Sequence, residues 1–586
     1  MGQSTSYDVV VVGSGACGML AAVCAADHGL RPVVIEKSDR YGGTSAVSGG
    51  GVWVPCNPDI RSADNTSNAL TYLRACTRGT ADESRLAAFL TDAPRMIEYV
   101  VSKAKVPLRS IRGFPDYHSR LPGAFPGRVM MPDSLDGKLL GEEYFRLRQS
   151  YGYLKLLGRI SVDATEGGML GAKAPGWQRI MLRLLSSYWL DFGWRRRTPR
   201  DRRLCNGEAL IGHLRKAMLE RDIPLLLNTA LLRLSTDNGW VTGAIVEHNG
   251  AAQELRAAQG VVLAAGGFEA NQPMRERYLE APGHWRCSAP PRGINSGDAI
   301  SAGVELGAAL GCMGYAWKVP VLVTPVPGES NMDYAHPFFW DRGAPGSICV
   351  NRQGKRFVDE AVAYDEFCAA MLADDAATHA NAPCWMIFDA ACRRRALVGP
   401  LLPGEMKPDH KLPVEWLDSV YFRAATLEEL AAKIGVDRTV LAQSIRVFNE
   451  DARLGKDRQF DRGGCPYDQY FANPRIKPNG SLAPLETAPY YALRLDVGDL
   501  GTKGGLLTNV AGQVLHESGV PIPGLYAAGN TAASIFGNSY PGAGGTLAPA
   551  MTQAFVAIEH LSRQTGSAPR LSDDRTGPAF RGSPPT

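Results

Sequence analysis

The stretch from Tyr7 to Glu36 constrains this chain more than any other. A short, mostly valine run (YDVVVV, Tyr7 to Val12) leads into Gly13-Ser14-Gly15-Ala16-Cys17-Gly18, then an alanine-rich segment to His28 and Gly29, a second apolar run from Arg31 to Ile35, and Glu36. The first run is too short for a helix and suits a strand buried on both faces of a parallel sheet. Gly13 permits a tight turn, Gly15 lets backbone approach a pyrophosphate, and Gly18 lets helix and strand pack closely. The phosphates would sit at the helix N-terminus that Ala16 opens, where free N–H groups and the dipole favour anions. Glu36 ends the second strand, where a carboxylate can accept both ribose hydroxyls, with Lys37 beside it. A lone GxGxxG is a weak signal; placed as strand, turn, helix, strand and acid, it predicts a dinucleotide site on a doubly wound α/β sheet.

The next segment chooses the dinucleotide. Tyr41-Gly-Gly43-Thr44-Ser45-Ala-Val-Ser48-Gly49-Gly50-Gly51 is a run of small residues that can lie flat against a bulky planar ring with hydroxyls and amides facing it. It resembles the second FAD fingerprint of fumarate-reductase-like flavoproteins, which nicotinamide enzymes do not carry there. Gly260 to Asn271, with Gly266 in its glycine pair, and Gly524 to Asn530, ending in Gly529-Asn530, resemble that family's later returns to the flavin. A helix beginning around Gly544-Gly545-Thr546-Leu547 would aim its positive end at the flavin edge that gains charge on reduction. The expected architecture is α/β: a Rossmann-like FAD-binding domain with an inserted α+β substrate (capping) domain and an extra helical insertion. The FAD domain is expected in three pieces (1–139, 204–318 and 490–562), with the insertion at 140–203, the substrate domain at 319–489 and a disordered tail at 563–586.

Composition narrows the partners. At roughly 150 residues per domain, 586 residues leave room for about four units, and 64 glycines exceed the usual ~7%. A formal charge of +4 is too near neutral for a nucleic-acid footprint over the whole surface. Twelve scattered cysteines, without a C-x-x-C pair or zinc-type spacing, read as reduced thiols in the cytoplasm and imply no metal site. No apolar run reaches the ~18 residues of a membrane span, and no signal sequence precedes the first strand.

Fumarate reductases of this fold grip a dicarboxylate with two Arg and a His, and the matching places here differ. Tyr364 stands where the catalytic Arg would be in Gly354-Lys-Arg-Phe-Val-Asp-Glu-Ala-Val-Ala-Tyr364-Asp365. Gly501 replaces the His in Asp499-Leu-Gly-Thr-Lys-Gly-Gly505, and Ser539-Tyr540-Pro-Gly-Ala-Gly544-Gly545 lacks the second Arg. A dianion would lose charge-assisted bonds of ~1.5–3 kcal/mol each, so a neutral, apolar substrate is expected. These segments, with Pro115-Asp116-Tyr117, resemble the 3-ketosteroid Δ1-dehydrogenase family over about residues 6–139 and 204–562. The resemblance implies removal of hydrogens from C1 and C2 of a 3-ketosteroid. Tyr540 O–H and Gly544 N–H would polarise the C3 carbonyl, Tyr364 would take the C2 proton, and Tyr117 would stabilise the Tyr364 anion and relay its proton. Hydride would pass from C1 to FAD, and a quinone-like acceptor would take the electrons on. Two alternatives stay open here: a Δ4-(5α)-dehydrogenase of the same fold, and a flavin-holding membrane or sensor module without turnover. Tyr467, Tyr470, Tyr490 and Tyr491 read as core or pocket lining.

Positive charge concentrates in the insertion. Between Tyr144 and Arg203 there are 13 Lys/Arg against 4 Asp/Glu, so the rest of the chain is net negative. Trp177, Ile180, Met181, Leu184, Leu185, Tyr188, Trp189 and Phe192 recur at helical spacing, flanked by Arg195-Arg-Arg197. This suits a helix lying on an anionic membrane surface. The plainer reading is a helix packed on the body or on a second subunit. The first reading places the protein in the cytoplasm at the inner face of its membrane, with side-chain-bearing sterones such as cholest-4-en-3-one as preferred substrates.

Overall fold

The computed structural model describes residues 5–152, 155–171, 174–325 and 333–564, so the expected disorder of the tail falls, from residue 565 on, outside the described residues. The valine run is the central strand, Thr5–Val12, of an eight-stranded sheet. It pairs in parallel with Pro32–Ile35 on one side and Ala251–Leu263 on the other, placing Val10 opposite both Val33 and Val261. Val9, Val10 and Val11 are wholly buried, as a β-branched strand covered on both faces requires. Leu225–Leu226 and Pro521–Ala527 extend the parallel part, and an antiparallel branch of Thr229–Asp237 and Trp240–His248 grows from the start of Ala251–Leu263.

The alanine-rich segment folds as the helix Ala16–Asp27, buried from Ala16 through Ala25 between the helices Asn206–Leu219 and Leu547–Arg563. A helix apolar on every side belongs in a core. Its close packing depends on Gly18, where an added Cβ would lie 2.0 Å from the Gly13 carbonyl oxygen.

A second, six-stranded antiparallel sheet caps the first layer, with a central run of Asp333–Pro337, Ala316–Pro325, Tyr490–Thr502, Cys384–Asp389 and Ser347–Val350. The two-residue period of Cys384–Asp389 sorts its side chains. Met386 and Phe388 join the helix Tyr364–Thr378 through Phe367 and Met371, whereas Trp385 and Ile387 face the helices Leu427–Ile434 and Arg438–Leu454. Ala316–Pro325 and Tyr490–Thr502 are this sheet's long strands, with Ala316 opposite Thr502. Residue 490, expected to return to the FAD domain, therefore begins a strand that still pairs in the capping sheet.

The insertion carries the helix Trp177–Trp189, and its apolar face is divided. Leu184 and Tyr188 close a small core with Ile160, with Ile180 and Leu185 packed against it. Leu182, Trp189, Leu190 and Phe192 stay exposed, and Arg195 lies 4.3 Å from the Trp189 ring centroid. Half of the face expected to meet a membrane thus serves the insertion's own core. Among the described residues no helix is long and apolar enough to cross a membrane.

Gly18→Ala should destabilise the protein by about 1–3 kcal/mol, because the new methyl overfills a backbone contact that cannot open without moving the turn. Chemical denaturation read by circular dichroism checks this, and an unchanged midpoint would contradict it.

Candidate active site

The Gly13–Gly18 turn and Glu36 form one unit. Glu36 Oε2 accepts from the Ser14 hydroxyl at 2.6 Å and from Ser14 N–H at 3.3 Å, and Oε1 accepts from Ser38 N–H at 3.0 Å. Gly13 has φ +109°, and an added Cβ would meet the Ala264 carbonyl at 2.3 Å. Gly15 caps the first helix without a side-chain bond, so backbone N–H groups are left for an anion. Ala16 N–H donates to Ser45 Oγ at 3.2 Å, which brings the second fingerprint onto the first. Gly43 lies beside Gly15, Thr44 Oγ1 accepts from Asn295 at 2.9 Å, and the Ser48 hydroxyl donates to the Ser45 carbonyl and accepts from Gly50 N–H. Gly49 would meet nothing within 4 Å if given a Cβ, whereas Gly50 is pressed against Asn206 and Gly51 faces Met131 and Ala543.

The later returns arrive at the same place. The Gly266 carbonyl accepts from Thr531, Gly529 N–H donates to Gln553, and Asn530 Oδ1 accepts from Trp317 Nε1 at 3.1 Å. Gly545 donates to the Gly542 carbonyl, and the helix Leu547–Arg563 starts after Thr546 with no side-chain cap bond, slightly later than expected. Lys37 is drawn instead to Ser296 and Asp298, at 2.6 Å from each. Two uncapped helix starts, a glycine-floored groove and a strand-end carboxylate fit the phosphates, flat ring and ribose of FAD.

Above this cradle three phenols meet. The hydroxyls of Tyr117 and Tyr364 are 2.9 Å apart, and the Tyr540 ring packs edge-on against both, with centroids at 5.3 and 5.5 Å. None of the three is more than 5% exposed. Burial, reinforced by its two neighbours, holds the Tyr364 pKa well above 10, and burial pushes Tyr540 up to about 12. Tyr364 is therefore a neutral phenol at rest, although Tyr117 was expected to favour its anion. Gly544 has φ +92°, and a Cβ there would strike Gly51 O at 2.4 Å, so no side chain fits. Among the described residues its N–H has no backbone acceptor.

Buried charge anchors the loops of Tyr117 and Tyr364, and a shared backbone carbonyl anchors that of Tyr540. Asp116, beside Tyr117, binds Arg128 at 2.7 Å and Trp53 Nε1 at 2.8 Å, while Arg128 also grips Asp64 through two bonds. Ahead of Tyr364, Arg356 forms two bonds to Glu360, which also accepts from Arg462 and from Cys349 N–H. The Pro541 carbonyl, next to Tyr540, accepts from Tyr72 O–H at 2.6 Å and from Tyr117 N–H at 3.2 Å, tying two of the three loops together.

Tyr467, read as core or pocket lining, packs on Tyr117 at 5.7 Å. Sequence reasoning missed Glu269 and Trp317, the latter packed on Tyr540 at 4.7 Å. Tyr470 packs on Phe114 at the rim, whereas Tyr490 and Tyr491 belong to the capping sheet. Glu269, wholly buried, accepts from Asn295 at 2.5 Å, and burial followed by the Asp499 charge raises its pKa to about 7. The doubled glycine ahead of Glu269 was the available signal for it; Trp317 had none. All twelve cysteines are free thiols, and among the described residues no group of side chains is arranged to hold a metal.

A flavin cradle roofed by buried phenols is the arrangement of a flavoprotein oxidoreductase. A family model described as FAD binding domain matches residues 8–547. The 3-oxosteroid 1-dehydrogenase of Mycobacterium tuberculosis is 38% identical, over 96% of this chain and 99% of that one. The crystal structure of 3-ketosteroid Δ1-dehydrogenase from Sterolibacterium denitrificans with 1,4-androstadiene-3,17-dione superposes with a TM-score of 0.92 at 47% identity, covering 96% of this chain and 100% of that chain. The 3-ketosteroid Δ4-(5α)-dehydrogenase of Rhodococcus jostii RHA1 shares the fold, with a TM-score of 0.64 at 20% identity, over 96% of this chain and 98% of that one. The chain belongs to the 3-oxosteroid 1-dehydrogenase family of FAD-binding oxidoreductases.

Replacing Arg128 by Met should cost about 3–5 kcal/mol, because Asp64 and Asp116 are left buried and uncompensated. Thermal unfolding of the FAD-loaded protein measures it, and a loss below 1 kcal/mol would show that the carboxylates find other partners.

Proposed function

We propose that the protein desaturates the C1–C2 bond of 3-ketosteroids. The observation that carries this reading is the buried meeting of Tyr117, Tyr364 and Tyr540 over the flavin cradle, in a chain whose relatives include 3-oxosteroid 1-dehydrogenases. C2–H is acidic only if charge moving onto the C3 oxygen is met by donors. Tyr540 O–H and the N–H of Gly544, which has no backbone acceptor among the described residues, are those donors, four residues apart around the Pro541-Gly542 turn. The Tyr364 phenolate takes the C2 proton, and the Tyr117 hydroxyl, 2.9 Å away, carries that proton off afterwards. FAD, when bound, supplies the two-electron acceptor for the hydride leaving C1. As the hydride leaves, the C1–C2 double bond forms and the C3 carbonyl is restored.

The cradle residues in named roles are Gly13, Gly15, Ala16 and Gly18 for the pyrophosphate turn, Glu36 for the ribose, and Gly43 to Gly51 with Gly266, Gly529 and Asn530 along the ring system. Gly545, Thr546 and Leu547 present the second helix N-terminus to it. A quinone-like compound takes the electrons on. The exposed Leu182, Trp189, Leu190 and Phe192, beside the Arg195-Arg-Arg197 run, support contact with an anionic bilayer on the cytoplasmic side. Such contact would deliver water-insoluble sterones that keep a long C17 chain.

Tyr364→Phe should lower kcat at least 10²-fold by removing the base, and Tyr540→Phe by about 10²–10³ by removing one donor, both with FAD absorbance retained. Because the active form of Tyr364 is the deprotonated one and its pKa is raised, kcat/KM of the wild type should still climb from pH 8 to pH 10. Full activity in either variant, or a plateau below pH 9, would sink the assignment. A 1-ene product from a saturated 5α-3-ketosteroid supports this reading over Δ4 desaturation.

Replacing Trp189, Leu190 and Phe192 by Ser and Arg195 by Glu should abolish sedimentation with phosphatidylglycerol vesicles while leaving turnover of a short-chain sterone within two-fold. Equal vesicle binding by the wild type and this variant would remove the membrane contact.

A further inference from the structure

The segment Asp499-Leu-Gly-Thr-Lys503-Gly-Gly505 carries a charge the mechanism above does not use. Lys503 is 2% exposed. Its Nζ donates to the carbonyls of Asn538 at 2.6 Å and Ser539 at 2.9 Å, the two residues ahead of Tyr540. The same Nζ lies 4.5 Å from the Trp317 ring centroid, and that ring packs on Tyr540. The backbone of Lys503 is fixed at both ends, its N–H to the Tyr315 carbonyl and its own carbonyl to Ser534 N–H. It follows the last residue of Tyr490–Thr502, which pairs with the start of Ala316–Pro325, so the two long capping strands deliver Lys503 and Trp317 together.

We infer that Lys503 is a positioning residue for Tyr540, its ammonium group holding the Asn538 and Ser539 carbonyls so that the Tyr540 hydroxyl is presented to the C3 oxygen of the substrate. The inference rests on the role given to Tyr540 above. Tyr540 then sits between two clamps, Lys503 on its N-terminal side and Tyr72 with Tyr117 on the Pro541 carbonyl. Among the described residues no carboxylate forms an ion pair with Lys503, so a methionine of similar length would avoid a desolvation cost that the lysine bears. The groups that act on the ammonium are Asp365, which favours it, Lys318, which opposes it, and the Cys312 thiol, with Arg85 beside that thiol. Burial dominates and draws the Lys503 pKa down to about 7. The charge-assisted clamp is therefore complete well below pH 7 and weakens as pH rises through 7 and the proton leaves.

The experiment uses the FAD-loaded enzyme with 1,4-androstadiene-3,17-dione as probe and reads the infrared stretch of its C3 carbonyl, which falls as Tyr540 polarises it. Tyr540→Phe should raise the frequency. Lys503→Met should raise it part of the way and lower kcat at least ten-fold with KM within two-fold, and Lys503→Arg should recover part of both. The double variant should be no worse than Tyr540→Phe alone, because a positioning residue has nothing left to position. In the wild type the frequency should rise between pH 6 and pH 8.5, a measurement that stands even if Lys503→Met does not load FAD. Equal losses from Lys503→Met in both backgrounds, or a wild-type frequency flat over that pH range, would overturn the inference. An unaltered Tyr540→Phe would overturn the Tyr540 role itself, and the two failures are therefore distinct.

Discussion

A phenol buried away from water must find its hydrogen-bond partner within the protein, and Tyr117 and Tyr364 find each other at 2.9 Å. They arrive from different parts of the chain. Tyr117 follows the Asp116 that Arg128 holds, whereas Tyr364 opens the helix that lines the capping sheet. The contact therefore exists only while the two layers are docked, which makes the site a product of tertiary packing rather than of any one motif. Tyr540 completes it from a third loop, and its neighbour Pro541 accepts from Tyr117 N–H, so the backbone repeats the tie the side chains make.

Precision of this kind rests on buried ions. Arg128, Arg342 and Arg462 are wholly buried, and their terminal guanidinium nitrogens donate to carboxylates or backbone carbonyls around the loops that carry the phenols. Such networks are poor sources of net stability because desolvation offsets most of the attraction, but they penalise any loop position that leaves a charge unpaired. The loops ahead of Tyr117 and Tyr364 are accordingly fixed by geometry that apolar packing alone would leave looser. Lys503 follows the same logic with carbonyls in place of carboxylates.

How much of this the chain discloses before folding depends on whether the signal is local. The valine run, the glycine turn and Glu36 are neighbours in sequence and in space, and the nucleotide layer was legible from them. Tyr364 was legible because a tyrosine replaces an arginine in an otherwise familiar run. Arg128 with Asp64 and Asp116, or Trp317 with Tyr540, are pairs joined only across the fold, and no spacing announces them. The insertion shows a third case. A helical period reveals that one face is apolar, but not that Ile160 covers part of it and leaves Leu182, Trp189 and Phe192 uncovered.

The electrostatics of the phenol cluster bear on the proposed reaction, in which Tyr364 is the base and is held neutral at rest. A standing phenolate at Tyr364 would compete with the enolate for the Tyr540 hydroxyl and would repel the charge that catalysis must create on the C3 oxygen. Burial avoids this by holding the Tyr364 pKa well above 10, so that in the proposed reaction the rare phenolate would be a strong base when it forms. Fixed charge nearby is also contained. Asp365, next to Tyr364, lies 3.5 Å from His118; burial alone would lower that imidazole, but Asp365 and Glu366 prevail and push its pKa up to about 10. His118 is thus a cation at neutral pH that offsets the carboxylate beside Tyr364. In the proposed reaction negative charge would develop beside these groups only during turnover, on the ketone oxygen assigned to Tyr540 and Gly544.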